Sequence, residues 1–113
     1  MVTQISADEL EALLSREDRE DVLLIDVRTR PEYEISHIPD SINVPLSKFT
    51  SDIADLDIPS NVVVLCEVGA ASEQAARLLE AYEGVDSETT VAHLVGGIRD
   101  WEGPLETMDR QTC

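Results

Sequence analysis

One cysteine of the chain, Cys66, stands between an apolar run at residues 62–65 and a glycine-containing loop at residues 67–71. A helix is predicted to begin near Ser72 and to end at Gly84. The free N–H groups at a helix N-terminus, with the positive end of the helix dipole, favour an anion held in front of them. A cysteine at such a place ionises more readily, and the thiolate is its nucleophilic form. This segment therefore predicts a cysteine that can act as a covalent nucleophile.

The residues around this cysteine leave other interpretations open. Gly69 would give the loop a backbone angle closed to other residues, so that several N–H groups could converge. A cysteine after an apolar strand can equally be a small buried hydrophobe. A metal site is not indicated, because one core cysteine and two distant histidines, His37 and His93, form no ligand cluster. Cys113 ends a polar tail, and the sequence does not show whether it reaches Cys66.

The elements that must position Cys66 are short strands alternating with helices. Continuous apolar runs predict strands at residues 22–25 and 62–65. Shorter or mixed segments predict further strands at residues 2–5, 42–44 and 91–95. This alternation predicts an α/β domain with a mostly parallel sheet, in which sites form at the carboxyl ends of the strands. Asp26, Arg28 and Cys66 all follow such ends. We therefore expect them at one edge of the sheet.

Two capping boxes predict where the first helices begin. Ser6 is paired with Glu9, and Thr29 is paired with Glu32, at the spacing that lets each side chain bond the other's backbone N–H. Pro31 is predicted at the first position of the second helix.

The charge of the chain is strongly acidic. Its 113 residues include 24 acidic and 8 basic ones, for a formal net charge of −16, and Lys48 is the only lysine. Such a surface repels nucleic acid and anionic membranes, and its self-repulsion destabilises the folded state unless salt screens it. The composition predicts a salt-rich cytoplasm, as in a halophile. The alternative is an ordinary acidic protein, or one with a basic partner.

The length fits one domain, predicted at residues 1–104, followed by a polar tail at residues 105–113. The longest apolar runs fall far short of the roughly 20 residues that a membrane span needs. The N-terminus shows no basic region followed by an apolar stretch. These features predict a cytoplasmic protein that binds neither nucleic acid nor membrane.

Four motifs together resemble the rhodanese family. They are Asp26-Val27-Arg28 with Glu32-Tyr33, the run from His37 to Pro45, the loop from Cys66 to Ser72, and the run from Leu94 to Trp101. The motifs cover nearly the whole chain in the order and spacing of that family. The resemblance implies a three-layer α/β sandwich around a five-stranded, mostly parallel sheet. It also implies sulfur transfer through a persulfide on Cys66, with no metal or other cofactor.

The resemblance also implies roles for the surrounding residues. The persulfide would lie in a loop made of Glu67, Val68, Gly69, Ala70, Ala71 and Ser72. A small sulfane-sulfur donor would load Cys66, and a thiol, cyanide or a protein acceptor would remove the sulfur. From the residues themselves we expect structural roles: Asp26 as an acceptor of loop N–H groups, Arg28 as a partner of Glu32, His37 as a hydrogen-bonded packing residue, Gly96 and Gly97 as a tight turn, and Trp101 as core. The alternatives are a direct substrate role for Arg28 and a general-base role for His37.

Three positions depart from the family pattern. Ala71 replaces a frequent arginine, Glu67 adds a negative charge, and Ser36 replaces a glycine. These departures argue against efficient use of the thiosulfate dianion. They also keep open a non-catalytic rhodanese-like module that binds an anion or a partner. A cysteine phosphatase or arsenate reductase is less compatible, because those sites need a loop arginine to hold the oxyanion.

Overall fold

A five-stranded sheet forms the centre of the computed structural model, which describes residues 2–15, 21–82 and 88–107. The strands are β1 (Thr3–Ile5), β2 (Val22–Asp26), β3 (Ile42–Asn43), β4 (Asn61–Leu65) and β5 (Thr90–Leu94). The helices are α1 (Ala7–Leu14), α2 (Arg30–Ile35), α3 (Phe49–Asp52) and α4 (Ala70–Ala81), with 3₁₀ turns at Leu46–Lys48, Ile53–Asp55 and Gly97–Asp100.

The strands lie in the order β1-β5-β4-β2-β3, and each neighbouring pair is parallel. The predicted α/β fold with a parallel sheet of five strands is therefore confirmed. Asp26 is in register with Leu65, so the carboxyl ends of β2 and β4 lie side by side. This register brings Asp26 and the segment after Leu65 to one edge of the sheet.

The core is divided between the two faces of the sheet. On one face Ile25 and Val64 pack with Phe49 of α3 and Leu79 of α4. On the other face Leu24, Val63 and Leu94 pack with Leu10 of α1 and with Trp101. Because successive strand residues point to opposite faces, both faces of β2 and β4 are apolar, as in strands covered on both sides. Burial of each large apolar side chain stabilises the fold by about 1.5–3 kcal/mol.

Both predicted capping boxes are present. The Glu9 N–H donates to Ser6 Oγ over 3.1 Å, and the Ser6 N–H donates to Glu9 Oε1 over 2.9 Å. The equivalent pair joins Thr29 and Glu32 at the start of α2. Pro31 is the second residue of α2, not the first as predicted, because the helix already begins at Arg30. The position is still in the first turn, where a missing N–H leaves no intrahelical bond unmade.

Helix α4 begins two residues earlier than its sequence pattern predicts. Gly69 is its N-cap with φ of +105°, and Ala70 is its first residue, so Ser72 lies inside the first turn. An N-cap without a capping side chain gives no sequence signal beyond the glycine itself, which explains the error. The predicted helix end at Gly84 lies outside the described residues.

Residue 106 contacts the domain in the region predicted to be a polar tail. The His37 N–H donates to the Glu106 carbonyl over 2.8 Å, and the Glu106 N–H donates back over 2.7 Å. The two residues form an isolated antiparallel bridge. Among the helices within the described ranges, none combines the length and apolar character that crossing a membrane requires.

Candidate active site

The Cys66 side chain is held by two backbone N–H groups. Its Sγ accepts a hydrogen bond from the Gly69 N–H over 3.0 Å and from the Ser72 N–H over 3.2 Å. The residue follows the last residue of β4 and is 4% exposed. These N–H groups lie at the N-terminus of α4, whose dipole adds a positive potential at the sulfur. The arrangement can stabilise negative charge on a sulfur atom at this position.

Gly69 gives the loop its shape. Its φ of +105° is a left-handed conformation that favours glycine, and a Cβ at this position would lie 3.3 Å from the Gly96 backbone nitrogen. The Ser72 hydroxyl donates to the Gly69 carbonyl over 3.1 Å. Ser72 therefore braces the loop with its side chain while it binds the sulfur with its backbone.

The predicted Gly96-Gly97 turn lies directly against the Cys66 loop. The Ile98 N–H donates to the Cys66 carbonyl over 2.8 Å, and the Arg99 N–H donates to the Glu67 carbonyl over 3.2 Å. Gly97 has a φ of +68°, and a Cβ on it would overlap the Glu67 carbonyl group. Only a glycine at residue 97 lets the two segments approach this closely.

Asp26 and Arg28 form a buried pair beside the loop. Asp26 is fully buried and accepts the Arg28 backbone N–H over 2.9 Å, as predicted for a loop N–H group. The Arg28 guanidinium donates to both Asp26 carboxylate oxygens, the shortest contact being 2.8 Å, and Arg28 Nη2 also donates to the Ser36 carbonyl. The predicted pairing of Arg28 with Glu32 is wrong, because the Glu32 carboxylate is bound to Thr29 in the capping box.

Neighbouring carboxylates favour the protonated, positively charged form of Arg28. Burial alone would lower the pKa of its guanidinium. The hydrogen bond and the charge of Asp26, reinforced by the charges of Glu67 and Glu32, more than offset burial and raise the pKa. Arg28 is therefore a permanent cation in a nearly buried position.

Glu67 joins two arginines from different segments. One oxygen of its carboxylate lies 3.0 Å from Arg99 Nε, and the other lies 3.8 Å from Arg28 Nη1. The Glu67 side chain is 43% exposed and that of Arg99 is 69% exposed. The sequence indicated the charge of Glu67 but not the partner, because Arg99 follows Glu67 by 32 residues. The only signal was the position of Arg99 next to the Gly96-Gly97 turn.

The remaining loop residues differ in exposure. Val68 is exposed, as is Ala70, whereas Ala71 is half-buried and packs against the core cluster on the α4 face. Where the resemblance to the rhodanese family implies a frequent arginine, residue 71 of this chain is thus a small side chain against apolar neighbours.

His37 packs against α2. Its ring stacks on the Tyr33 ring with centroids 4.0 Å apart, and Nδ1 donates to the Tyr33 carbonyl over 2.8 Å. Its Nε2 lies 3.6 Å from a carboxylate oxygen of Glu106. These contacts are those of the hydrogen-bonded packing residue that the sequence predicts. Trp101 is likewise in the core, with Nε1 donating to the Pro104 carbonyl over 3.0 Å.

The two histidines and the second cysteine lie apart from the Cys66 loop or outside the described residues. In residues 2–15, 21–82 and 88–107 no three His, Cys, Asp or Glu side chains are placed to hold a metal ion. His93 is 4% exposed on β5, and neither of its ring nitrogens has a hydrogen-bond partner within the described structure. Cys66 is a free cysteine in the described structure, and Cys113 lies outside the described residues.

Comparison with known proteins yields relatives over most of the chain. A sulfurtransferase of Allochromatium vinosum is 35% identical over 101 residues, which are 89% of each protein. The YrkF protein of Bacillus subtilis, whose name describes a proposed sulfur carrier, is 34% identical over 98 residues. The match covers 86% of this chain but only 51% of YrkF.

A solved structure has the same fold. The rhodanese-like domain protein of Staphylococcus aureus superposes with a TM-score of 0.79 at 24% identity, over 96% of this chain and all of that one. A model of the family described as the rhodanese-like domain matches residues 6–104. The match includes Asp26, Arg28, the Cys66 loop and the Gly96-Gly97 turn. The chain belongs to the rhodanese-like domain family.

Proposed function

We propose that this protein is a sulfurtransferase or sulfur carrier that forms a persulfide on Cys66. The observation that carries the proposal is the pair of backbone N–H groups, from Gly69 and Ser72, directed at Cys66 Sγ. The names of the Allochromatium and Bacillus relatives, a sulfurtransferase and a proposed sulfur carrier, support sulfur transfer.

The first half-reaction loads the cysteine. The Cys66 thiolate attacks the outer sulfur of a sulfane donor, and a bond forms between Sγ and that sulfur. The bond between the outer sulfur and the rest of the donor breaks, and the leaving group takes its electron pair. The product carries a negative charge on the new terminal sulfur, which the N–H groups of the loop at residues 67–72 can stabilise.

The second half-reaction unloads the cysteine. A thiol, a cyanide ion or a protein acceptor attacks the terminal sulfur, and the Cys66 thiolate leaves. The electron count balances over the cycle, so no metal or organic cofactor is required. The low exposure of Cys66 limits access by water and favours acceptors that can enter the loop.

A binding module without turnover is the second candidate. The observation that favours it is Glu67, which is adjacent to Cys66 and carries the charge of a carboxylate into the loop. In such a module the same N–H groups would hold an anion or a partner, and Cys66 would not be loaded.

Intact mass spectrometry separates the two candidates. The protein is incubated with thiosulfate or with polysulfide, and wild type is compared with Cys66→Ala and Cys113→Ala. We expect a mass gain of one sulfur atom that cyanide removes, that Cys66→Ala abolishes and that Cys113→Ala retains. Absence of the adduct with every sulfane donor would favour the binding module. An adduct that persists in Cys66→Ala would refute the assignment of the nucleophile.

A further inference from the structure

Four charged side chains surround the start of the Cys66 loop in two balanced pairs. The carboxylates of Asp26 and Glu67 face the guanidinium groups of Arg28 and Arg99. Arg28 is bound through two of its nitrogens to the buried Asp26. Arg99 is bound through Nε to Glu67. The positive charge that could recognise an anionic donor is therefore neutralised within the protein.

From this arrangement we infer that Glu67 determines which sulfur donors the site accepts, favouring donors with one negative charge over donors with two. The inference rests on the proposed persulfide chemistry and names its substrate class. The preferred donors are thiosulfonates, R–SO₂–S⁻, and hydropersulfides, R–S–S⁻. Thiosulfate, with two charges, is the disfavoured donor.

The physical reason is competition for the guanidinium groups. A single negative charge on a donor can be met by the positive end of the α4 dipole and by the N–H groups that a helix N-terminus leaves without intrahelical partners. The second charge of thiosulfate needs a further cation, and Ala71 supplies none. Glu67 holds Arg99 through a charge-assisted hydrogen bond of 3.0 Å and lies 3.8 Å from Arg28 as a longer ion pair, so a donor must compete with Glu67 for the charge of both arginines. The Glu67 charge also repels the dianion more strongly than it repels a monoanion.

The two donor classes give the same product on the protein. With thiosulfate, the Cys66 thiolate takes the outer sulfur and sulfite leaves with the electron pair of the broken S–S bond. With methanethiosulfonate, the thiolate takes the outer sulfur and methanesulfinate leaves in the same way. The donors differ in one unit of charge and in a methyl group that replaces an oxygen. The effect of the charge is therefore measured by how a substitution at Glu67 changes the ratio of their two Michaelis constants.

The test measures the Michaelis constants for thiosulfate and methanethiosulfonate, with cyanide as acceptor, in wild type and Glu67→Gln. We expect Glu67→Gln to lower the constant for thiosulfate about three- to tenfold. The constant for methanethiosulfonate should change less than about twofold. In 1 M potassium chloride the gain for thiosulfate should shrink, because the screening length falls to about 3 Å.

Glu73→Gln is the matched control. The Glu73 side chain is also 43% exposed, and its carboxylate also lies 3.0 Å from an arginine nitrogen, that of Arg77 on α4. Its removal changes the net charge of the protein by the same amount at a different ion pair. We expect the ratio of the two Michaelis constants to stay at the wild-type value in Glu73→Gln.

The outcomes distinguish the inference from the proposed function. If Glu67→Gln leaves the ratio of the two constants unchanged, or if Glu73→Gln shifts it equally, Glu67 is not the determinant, although the persulfide mechanism stands. If wild-type Cys66 gains no sulfur from either donor, the proposed function fails and the inference fails with it. Mass spectrometry of Cys66 after exposure to each donor decides between these cases.

Discussion

The sulfur of Cys66 is held by backbone groups, so the side chains that matter most around it are those that shape the backbone. Gly97 is the clearest case, because the loop carbonyl of Glu67 occupies the space where its Cβ would be. Gly96 has a similar left-handed φ, of +80°, but the three atoms nearest to a Cβ on it all belong to the side chain of Asp100. A side chain can rotate away, whereas a backbone segment that also holds the nucleophile cannot.

Gly97→Ala should therefore slow persulfide formation far more than Gly96→Ala. Both variants should lose about 1–2 kcal/mol of unfolding free energy to the left-handed backbone conformation. Gly97→Ala should lose more, because Glu67 must move and carry the Cys66 loop with it. Urea denaturation measures stability, and timed mass spectrometry measures sulfur loading. Equal loading rates in the two variants would show that the close approach at Gly97 does not position the loop.

The sequence predicts which residues form the site better than it predicts which side chains those residues bind. The sequence indicates Cys66 and Gly69 from their place between a strand and a helix, and the structure puts both in the same loop. The partners of Arg28 and Glu67 were not predictable. Glu32 is four residues from Arg28 in the sequence, yet Asp26 binds Arg28 because both side chains are buried at the same strand end. Arg99 is brought to Glu67 only by the fold.

The elements differ in how strongly their sequences determine them. The apolar runs of β2 and β4 identify buried parallel strands, since each is covered on both faces. Helices α1 and α2 are specified by capping boxes. The segment after Pro45 is irregular, because two 3₁₀ turns flank the four residues of α3. The large apolar residues of this segment pack in or against the core, but no capping motif in the sequence marks where a helix begins.

The capping box of α2 should give the protein a measurable acid sensitivity. Hydrogen bonds from the Thr29 backbone N–H and hydroxyl lower the pKa of Glu32. Folding thus favours the carboxylate form of Glu32. The contribution of this carboxylate to the free energy of unfolding is complete above the ordinary glutamate pKa of about 4.3. The contribution is lost as the pH falls through the lowered pKa of the folded state.

Glu32→Ala should therefore destabilise the protein by about 1 kcal/mol at pH 7, with a smaller difference from wild type below about pH 4. Urea denaturation across this pH range provides the measurement. Glu34→Ala is the control, because Glu34 lies in the same helix and pairs with Arg30 at 3.1 Å without capping the helix. The role of the capping box would be contradicted if the difference in unfolding free energy between Glu32→Ala and wild type stayed constant down to pH 3. An equal dependence on pH in Glu34→Ala would also contradict it.

The whole molecule has an excess of negative charge that local pairs do not remove. The formal net charge is −16, and the radius of gyration is 13.4 Å. At 0.01 M salt the Debye length is about 30 Å, so carboxylates on opposite sides of the domain repel one another. At 1 M salt the length is about 3 Å, and only immediate neighbours interact. Unfolding lets the charges separate, so low salt favours the unfolded chain.

Salt also weakens the favourable ion pairs, and the sign of the net effect depends on which contribution is larger. An exposed helical pair such as Arg77–Glu73 stabilises the fold by only about 0.3–0.5 kcal/mol. With 24 acidic and 8 basic residues, the chain carries 16 negative charges that its cations do not neutralise. Repulsion among them should therefore outweigh the few pairs that salt screens.

We predict that the melting temperature rises steeply between 0.01 M and 1 M potassium chloride, with most of the rise at the low end, where the screening length changes most. Chloride is the appropriate anion, because sulfate also strengthens apolar burial and would raise the melting temperature for a different reason. A neutral osmolyte at equal osmolality serves as the control, since it leaves the charges unscreened. A strong early rise in potassium chloride alone would support adaptation of this domain to a salt-rich cytoplasm. A melting temperature that stays flat across the range would show that charge repulsion does not limit stability, and the halophilic interpretation of the composition would lose its physical basis.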